Sequence, residues 1–67
     1  MEKKDLLPGK RYLRSRKTII QGVEREAIRW IKCESLTEKG AIFSRDFEAD
    51  FELTEEQIKN EIKERWN

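Results

Sequence analysis

The chain has no histidine, one cysteine, one proline and three glycines in 67 residues. Without histidine it lacks the side chain whose ordinary pKa suits general acid–base work near neutral pH. A single cysteine, Cys33, excludes an internal disulfide and a cysteine-rich zinc site. With glycine only at Gly9, Gly22 and Gly40, there is no glycine-rich phosphate loop. No apolar run approaches membrane-spanning length, and the opening "MEKKDLLP" has no stretch of the signal-peptide kind. Apolar residues make up 36% of the chain and charged residues 43%, so any core is thin and leans on a few large side chains. These shortages lead to the expectation of one small, non-catalytic, cofactor-free domain, away from membranes and in a reducing cytoplasm. The initial methionine and the lack of a visible tag suggest a complete short protein.

What the chain has in abundance is charge, unevenly placed. The net charge is only +1, yet residues 1–32 hold ten Lys/Arg against four Asp/Glu, and residues 33–67 hold five against ten. A sequence-independent DNA binder ordinarily carries an overall positive excess, which is missing. Oppositely charged halves can instead attract each other within the fold or match neighbouring copies, so a homo-oligomer is one expected partner state.

Residues 1–9 read as a flexible N-terminal arm, because short charged termini are seldom held down. Residues 10–67 read as a single sheet-plus-helix domain. Pro8-Gly9 marks a turn. A first strand runs through "KRYLRS", and Gly22 suggests a bend or hairpin. "AIRWIKCESL" as a strand places Ile28, Trp30 and Leu36 on one face and Ala27, Ile31 and Cys33 on the other. As a helix it gathers Ile20, Val23, Ala27, Trp30 and Ile31, with "TIIQ" as a capping box. Gly22 inside that helix would cost about 1 kcal/mol relative to alanine, so strand is favoured over residues 18–36, with helix left open. "TEKG" reads as a hairpin loop with Gly40 at the left-handed position.

The clearest signal is "AIFSRDFEADFEL", where Ala41, Phe43, Phe47, Ala49, Phe51 and Leu53 alternate with mostly polar neighbours, the period of a half-buried sheet. Its thirteen residues exceed a usual strand, so a turn is expected around Arg45–Ala49. A helix follows from about Glu55 to Trp66. Thr54 and Gln57 form its capping box, Glu55 and Glu56 suit the positive end of its dipole, and Ile58, Ile62 and Trp66 form the stripe that packs on the sheet.

Three sites merit weighing. Cys33 has no histidine to activate it and apolar neighbours that raise its pKa, so a small buried hydrophobe is preferred to a reactive thiol. Asp46, Glu48, Asp50 and Glu52 echo the opening of a calcium loop. However, Phe51 stands where that loop needs glycine and Gln57 where it needs glutamate, so an acidic sheet face is preferred and no metal is expected. "KRYLRSRK" puts five basic residues into eight positions. In a strand, Lys10, Tyr12, Arg14 and Arg16 share one face while Arg11, Leu13, Ser15 and Lys17 share the other. Charge on both faces argues for an edge strand, where lysine and arginine also discourage aggregation. The alternative is a nucleic-acid stripe in which Lys10, Arg11, Arg14, Arg16, Lys17, Arg29 and Lys32 meet phosphates and Tyr12 stacks on a base.

The order of several strands followed by a C-terminal helix resembles SH3-like small barrels, including archaeal chromatin proteins and chromodomains. It is also similar to the three-strand-plus-helix DNA-binding domains of some integrases. The resemblance rests on element order; the chain lacks the chromatin proteins' strong positive charge, and no binding residue carries over. The expected fold is therefore α+β, a small antiparallel sheet or SH3-like open barrel of three to five strands closed by a C-terminal helix. The expected function is a small non-catalytic protein-interaction or regulatory module, of the kind bacteria and phages encode as short genes. Nucleic-acid binding through the basic N-terminal strand is the alternative.

Overall fold

A computed structural model describes residues 1–66. Strands β1 (Arg11–Ile20), β2 (Val23–Leu36), β3 (Gly40–Ser44) and β4 (Phe51–Thr54) precede helix α1 (Glu55–Glu61) and strand β5 (Ile62–Arg65). They form one antiparallel sheet in the order β4-β3-β2-β1-β5, and the sheet does not close into a barrel. The fold class is α+β, as expected.

Residues 18–20 and 23–36 are strand, not helix. Gln21 and Gly22 both take positive φ (53° and 76°), as a two-residue hairpin turn with primed geometry requires. That turn pairs Ile20 with Val23 and carries the ladder without interruption to Arg11 and Lys32. The alternation over residues 41–53 also appears, split by a loop where a turn was expected. Ala41, Phe43 and Leu53 are buried and Phe51 is partly so. Phe47 departs from the pattern: it is fully exposed in the loop between β3 and β4, with φ of 64°. Gly40 departs too. It opens β3 instead of adopting the left-handed conformation, and a Cβ there would collide with the backbone carbonyl of Leu53.

The capping box forms as expected: the Thr54 hydroxyl accepts from the Gln57 amide at 3.2 Å, and the Gln57 side chain accepts from the Thr54 amide at 2.9 Å. The helix, however, stops at Glu61 and does not reach Trp66. Ile62 is extended (φ −86°, ψ 117°), and the chain continues as β5 along β1, ending with the Trp66 amide donating to the Arg11 carbonyl at 2.8 Å. The unpaired edge of β1 supplies partners that a further helical turn would forgo. The N-terminal ammonium donates to the Ile62 carbonyl at 2.9 Å and the Lys59 carbonyl at 3.3 Å, taking up acceptors at the helix end. Ile58 and Ile62 are buried as the stripe implied; Trp66 lies elsewhere.

Residues 1–9, expected as a flexible arm, make several contacts with the rest of the chain. Leu6 is buried in the core, and the Leu7 amide donates to the Tyr12 hydroxyl at 2.7 Å. The Gly9 amide donates to the Cys33 carbonyl at 2.7 Å, and the Lys3 ammonium donates to the Thr37 carbonyl. One apolar side chain and these bonds link the segment to the sheet.

Candidate interaction surfaces on the sheet and its free ribbon

Helix α1 and the N-terminal segment cover only one end of the sheet. β5 pairs with β1 no further than Arg14, and β3 pairs with β2 only from Lys32 onward. From Ser15 to Ile28 the two strands therefore form a ribbon with no strand on either outer edge and no buried residue. The sequence-based expectation of an edge strand holds for this half of β1; the other half lies between two neighbours.

Register divides the basic stripe between two faces. Tyr12 pairs with Ile31, Arg14 with Arg29 and Arg16 with Ala27 on the face that α1 partly covers. Arg11 pairs with Lys32, Leu13 with Trp30, Ser15 with Ile28 and Lys17 with Glu26 on the other. Tyr12 has no exposed surface and spends its hydroxyl on the Leu7 amide, so it cannot stack on a base. Sequence alone left Tyr12 between a contact residue and a member of the core; it is core, packed in one cluster with Leu6 and Ile58.

The covered face opens beyond α1 into a cleft of about 740 Å³. Ala27, Ile31, Phe51 and Leu53 give it an apolar lining, and Arg14, Arg16, Arg29 and Arg45 bring four guanidinium groups to it, with Glu48, Glu52 and Gln57 also present. Arg14 is fixed: its Nε and Nη2 both lie 2.8 Å from one Glu61 carboxylate oxygen, and its guanidinium sits 5.6 Å from the centre of the Phe51 ring. Arg45 lies 3.4 Å from Glu48. Arg29 donates to the Ile28 carbonyl at 2.7 Å, but neither it nor Arg16 has an acid within ion-pair range among the described residues. Arg14 directly opposite Arg29 is a like-charge cross-strand pair, an arrangement that opposes pairing unless an anion relieves it. Glu61 answers one member; the other is unanswered.

The opposite face is covered by no element. Trp30 on β2 and Trp66 beyond β5 meet edge to face across β1, with ring centroids 4.9 Å apart. They remain 38% and 56% exposed, with Ile28 exposed and Leu13 half-buried beside them. Around this apolar centre stand Arg11, Lys17 and Lys32 together with Glu24, Glu26, Glu34 and Glu64; Lys17 approaches Glu24 at 3.4 Å and Lys32 approaches Glu34 at 4.0 Å. Phe47 borders a shallow groove lined by Arg11, Trp30 and Lys32. Lys10, at the strand entrance, uses its carbonyl to accept from the Cys33 amide at 2.9 Å and leaves its side chain exposed. Of the candidate contact residues, Arg14, Arg16 and Arg29 come together in the cleft, whereas Arg11, Lys17 and Lys32 share the open face.

Cys33 is fully buried, and burial, followed by the nearby Glu34 carboxylate, pushes its thiol pKa up. That is the reverse of an activated thiolate. Among the described residues no three acids, cysteines or histidines gather in a group that could hold a metal, and no helix is long and apolar enough to cross a membrane.

The tryptophan pair was not visible in the sequence. Its members are far apart in the chain, Trp30 within β2 and Trp66 just past β5, and only the β1–β5 ladder brings them together. Ile28 and Trp30 on one strand face was the one legible part. Compared with protein-family models, curated proteins and solved structures, the chain matches none.

Proposed function

We propose that this chain is a small non-catalytic protein-interaction module that docks a partner protein on the uncovered face of its sheet. The observation that carries this reading is the Trp30–Trp66 pair, two large rings held edge to face with nothing packed over them. Nine large apolar side chains are exposed among the described residues, against nine buried core residues that include the small Cys33 and Ala41. In so small a chain that balance favours an additional surface to bury them. The layout, an aromatic and aliphatic centre with mixed charges around it, is the anatomy of a protein interface, and tryptophan is a preferred energetic anchor there.

A second reading is favoured by one specific feature. Arg11 and Lys32 stand opposite each other beside Trp30 and the exposed Phe47, a combination of cations and ring faces that suits single-stranded nucleic acid. Partner capture from nuclease-treated lysate, repeated with Trp66→Ala, separates the two. The protein reading expects a defined partner held by the wild type and lost with Trp66→Ala. An unchanged capture by that variant overturns it. Oligonucleotide binding that weakens steeply with salt and fails in Arg11→Ala/Lys32→Ala supports the second reading instead.

A further inference from the structure

Two features are unused by docking on the tryptophan face, and they lie next to each other. The first is the arginine cleft, in which Arg16 and Arg29 lack acidic partners above an apolar lining of Ala27, Ile31, Phe51 and Leu53. The second is the loop between β3 and β4, residues 45–50, which displays Phe47 entirely to solvent at a positive φ that non-glycine residues seldom adopt. Asp46 and Asp50 flank Phe47 with no ion-pair partner among the described residues. A fully exposed phenylalanine between free carboxylates is chemically what an apolar cleft with free guanidinium groups accommodates.

We propose that these two features recognise each other between two copies of the chain, the Phe47 loop of one copy seating in the arginine cleft of the other. Within one molecule the loop cannot fill the cleft, because its own Arg45, Glu48 and Ala49 form part of the cleft wall. Between molecules, loop and cleft together make one continuous, self-complementary patch. A patch of that kind closes as a two-fold dimer, in which each loop enters the partner's cleft and the contact is made twice. The apolar lining favours this occupant over a polyanion. Any anion that enters meets Glu48 and Glu52, and a phosphate backbone gains nothing from the apolar lining to offset that repulsion. Phe47 uses the lining, while Asp46 and Asp50 answer Arg16 and Arg29 at its rim.

Sedimentation of the full chain over a wide concentration range, at low and high salt, tests the proposal. A dimer is expected whose dissociation constant rises about tenfold or more in high salt and about tenfold or more with Phe47→Ser. Charge exchange then makes the test specific to this pairing. Arg16→Glu/Arg29→Glu gives an acidic cleft facing an acidic loop, and Asp46→Arg/Asp50→Arg gives a basic loop facing a basic cleft, so each variant alone is expected to be monomeric. Mixed together they restore complementary charge at both contacts, and a heterodimer is expected. All four positions are exposed, so folding of each variant is checked by its unchanged circular dichroism. A wild-type monomer at every concentration overturns the proposal, as does a dimer indifferent to Phe47→Ser or a pair of variants that do not combine. Docking on the tryptophan face stands or falls separately, because Trp66→Ala leaves the cleft and loop untouched.

Discussion

Strands β1 and β2 run through two regions that differ in everything except backbone pairing. Under α1, Tyr12 and Ile31 sit opposite each other and are buried, with Leu6, Cys33, Phe43, Ile58 and Ile62 around them. Further along the same face, Arg16 and Ala27 have the same backbone pairing and the same facing direction, yet neither is buried. The difference teaches that the ladder fixes where side chains point while a second layer decides what they contribute. A two-stranded ribbon alone is at best marginally stable in water. Its order therefore derives from the covered end, and its exposed groups are free to serve recognition.

The largest expected effect comes from truncation under the helix. Phe43→Ala removes a fully buried ring that stacks near Phe51 with centroids 6.3 Å apart, and about 3–5 kcal/mol should be lost. At roughly 0.05–0.15 kcal/mol per residue, that is much or all of the stability such a chain possesses. Urea unfolding should show the variant largely unfolded in buffer. Ile19→Ala, at a ribbon residue that is 76% exposed, should change stability by no more than about 0.5 kcal/mol. Equal losses at the two positions would break the comparison and show that the ribbon has cover of its own.

A middle-sized effect tests how the N-terminal segment belongs to the covered region. Tyr12→Phe keeps the ring but deletes the hydroxyl that accepts from the Leu7 amide. The expected loss is about 1–3 kcal/mol, the range for leaving a partly buried donor unpaired. Faster hydrogen exchange should appear at the Leu7 amide and its neighbours, with ribbon amides unaffected. A loss below a few tenths of a kcal/mol, with exchange unchanged, would return residues 1–9 to the status of a loose arm.

What the sequence disclosed of this architecture follows the same division. Short-range signals were readable: the Thr54–Gln57 capping box, the Gly22 turn and the alternation of Ala41, Phe43, Phe51 and Leu53 each depend on residues a few positions apart. Phe47 falls in phase with that alternation only by numbering, since its loop leaves the sheet between Ser44 and Phe51. Ile58, Ile62 and Trp66 fit a helical stripe equally well by spacing. The chain abandons it at Ile62 because an open strand edge, supplied by residues some fifty positions earlier, competes with the next helical turn. That long-range β1–β5 ladder joins Trp30 to Trp66, a contact that no local pattern encodes. Arg14, Arg16 and Arg29 come together through the β1–β2 hairpin that the Gly22 turn signals, and Arg45 joins them from the loop after β3.

The smallest expected effect concerns Cys33, and it sharpens the contrast chemically. Burial, then the Glu34 carboxylate, raises the thiol pKa in the folded chain above its unfolded value. The neutral thiol is therefore the form that folding favours. Its contribution is fully present below the unfolded thiol's pKa and is lost as pH climbs from there through the folded value. Unfolding free energy should decline over that alkaline window, and Cys33→Ala should flatten the decline. Alkylation at neutral pH should be slow in the native protein, since reaction needs both opening of the core and ionisation. In the Cys33→Ala background, Ile19→Cys places a thiol on the exposed ribbon, and it should react as quickly as a free peptide cysteine. The ratio of the two rates then measures the protection that the second layer adds to one region and withholds from the other. Near-equal rates would mean that the covered region opens as readily as the ribbon, and the division between core and contact surface would have no energetic basis.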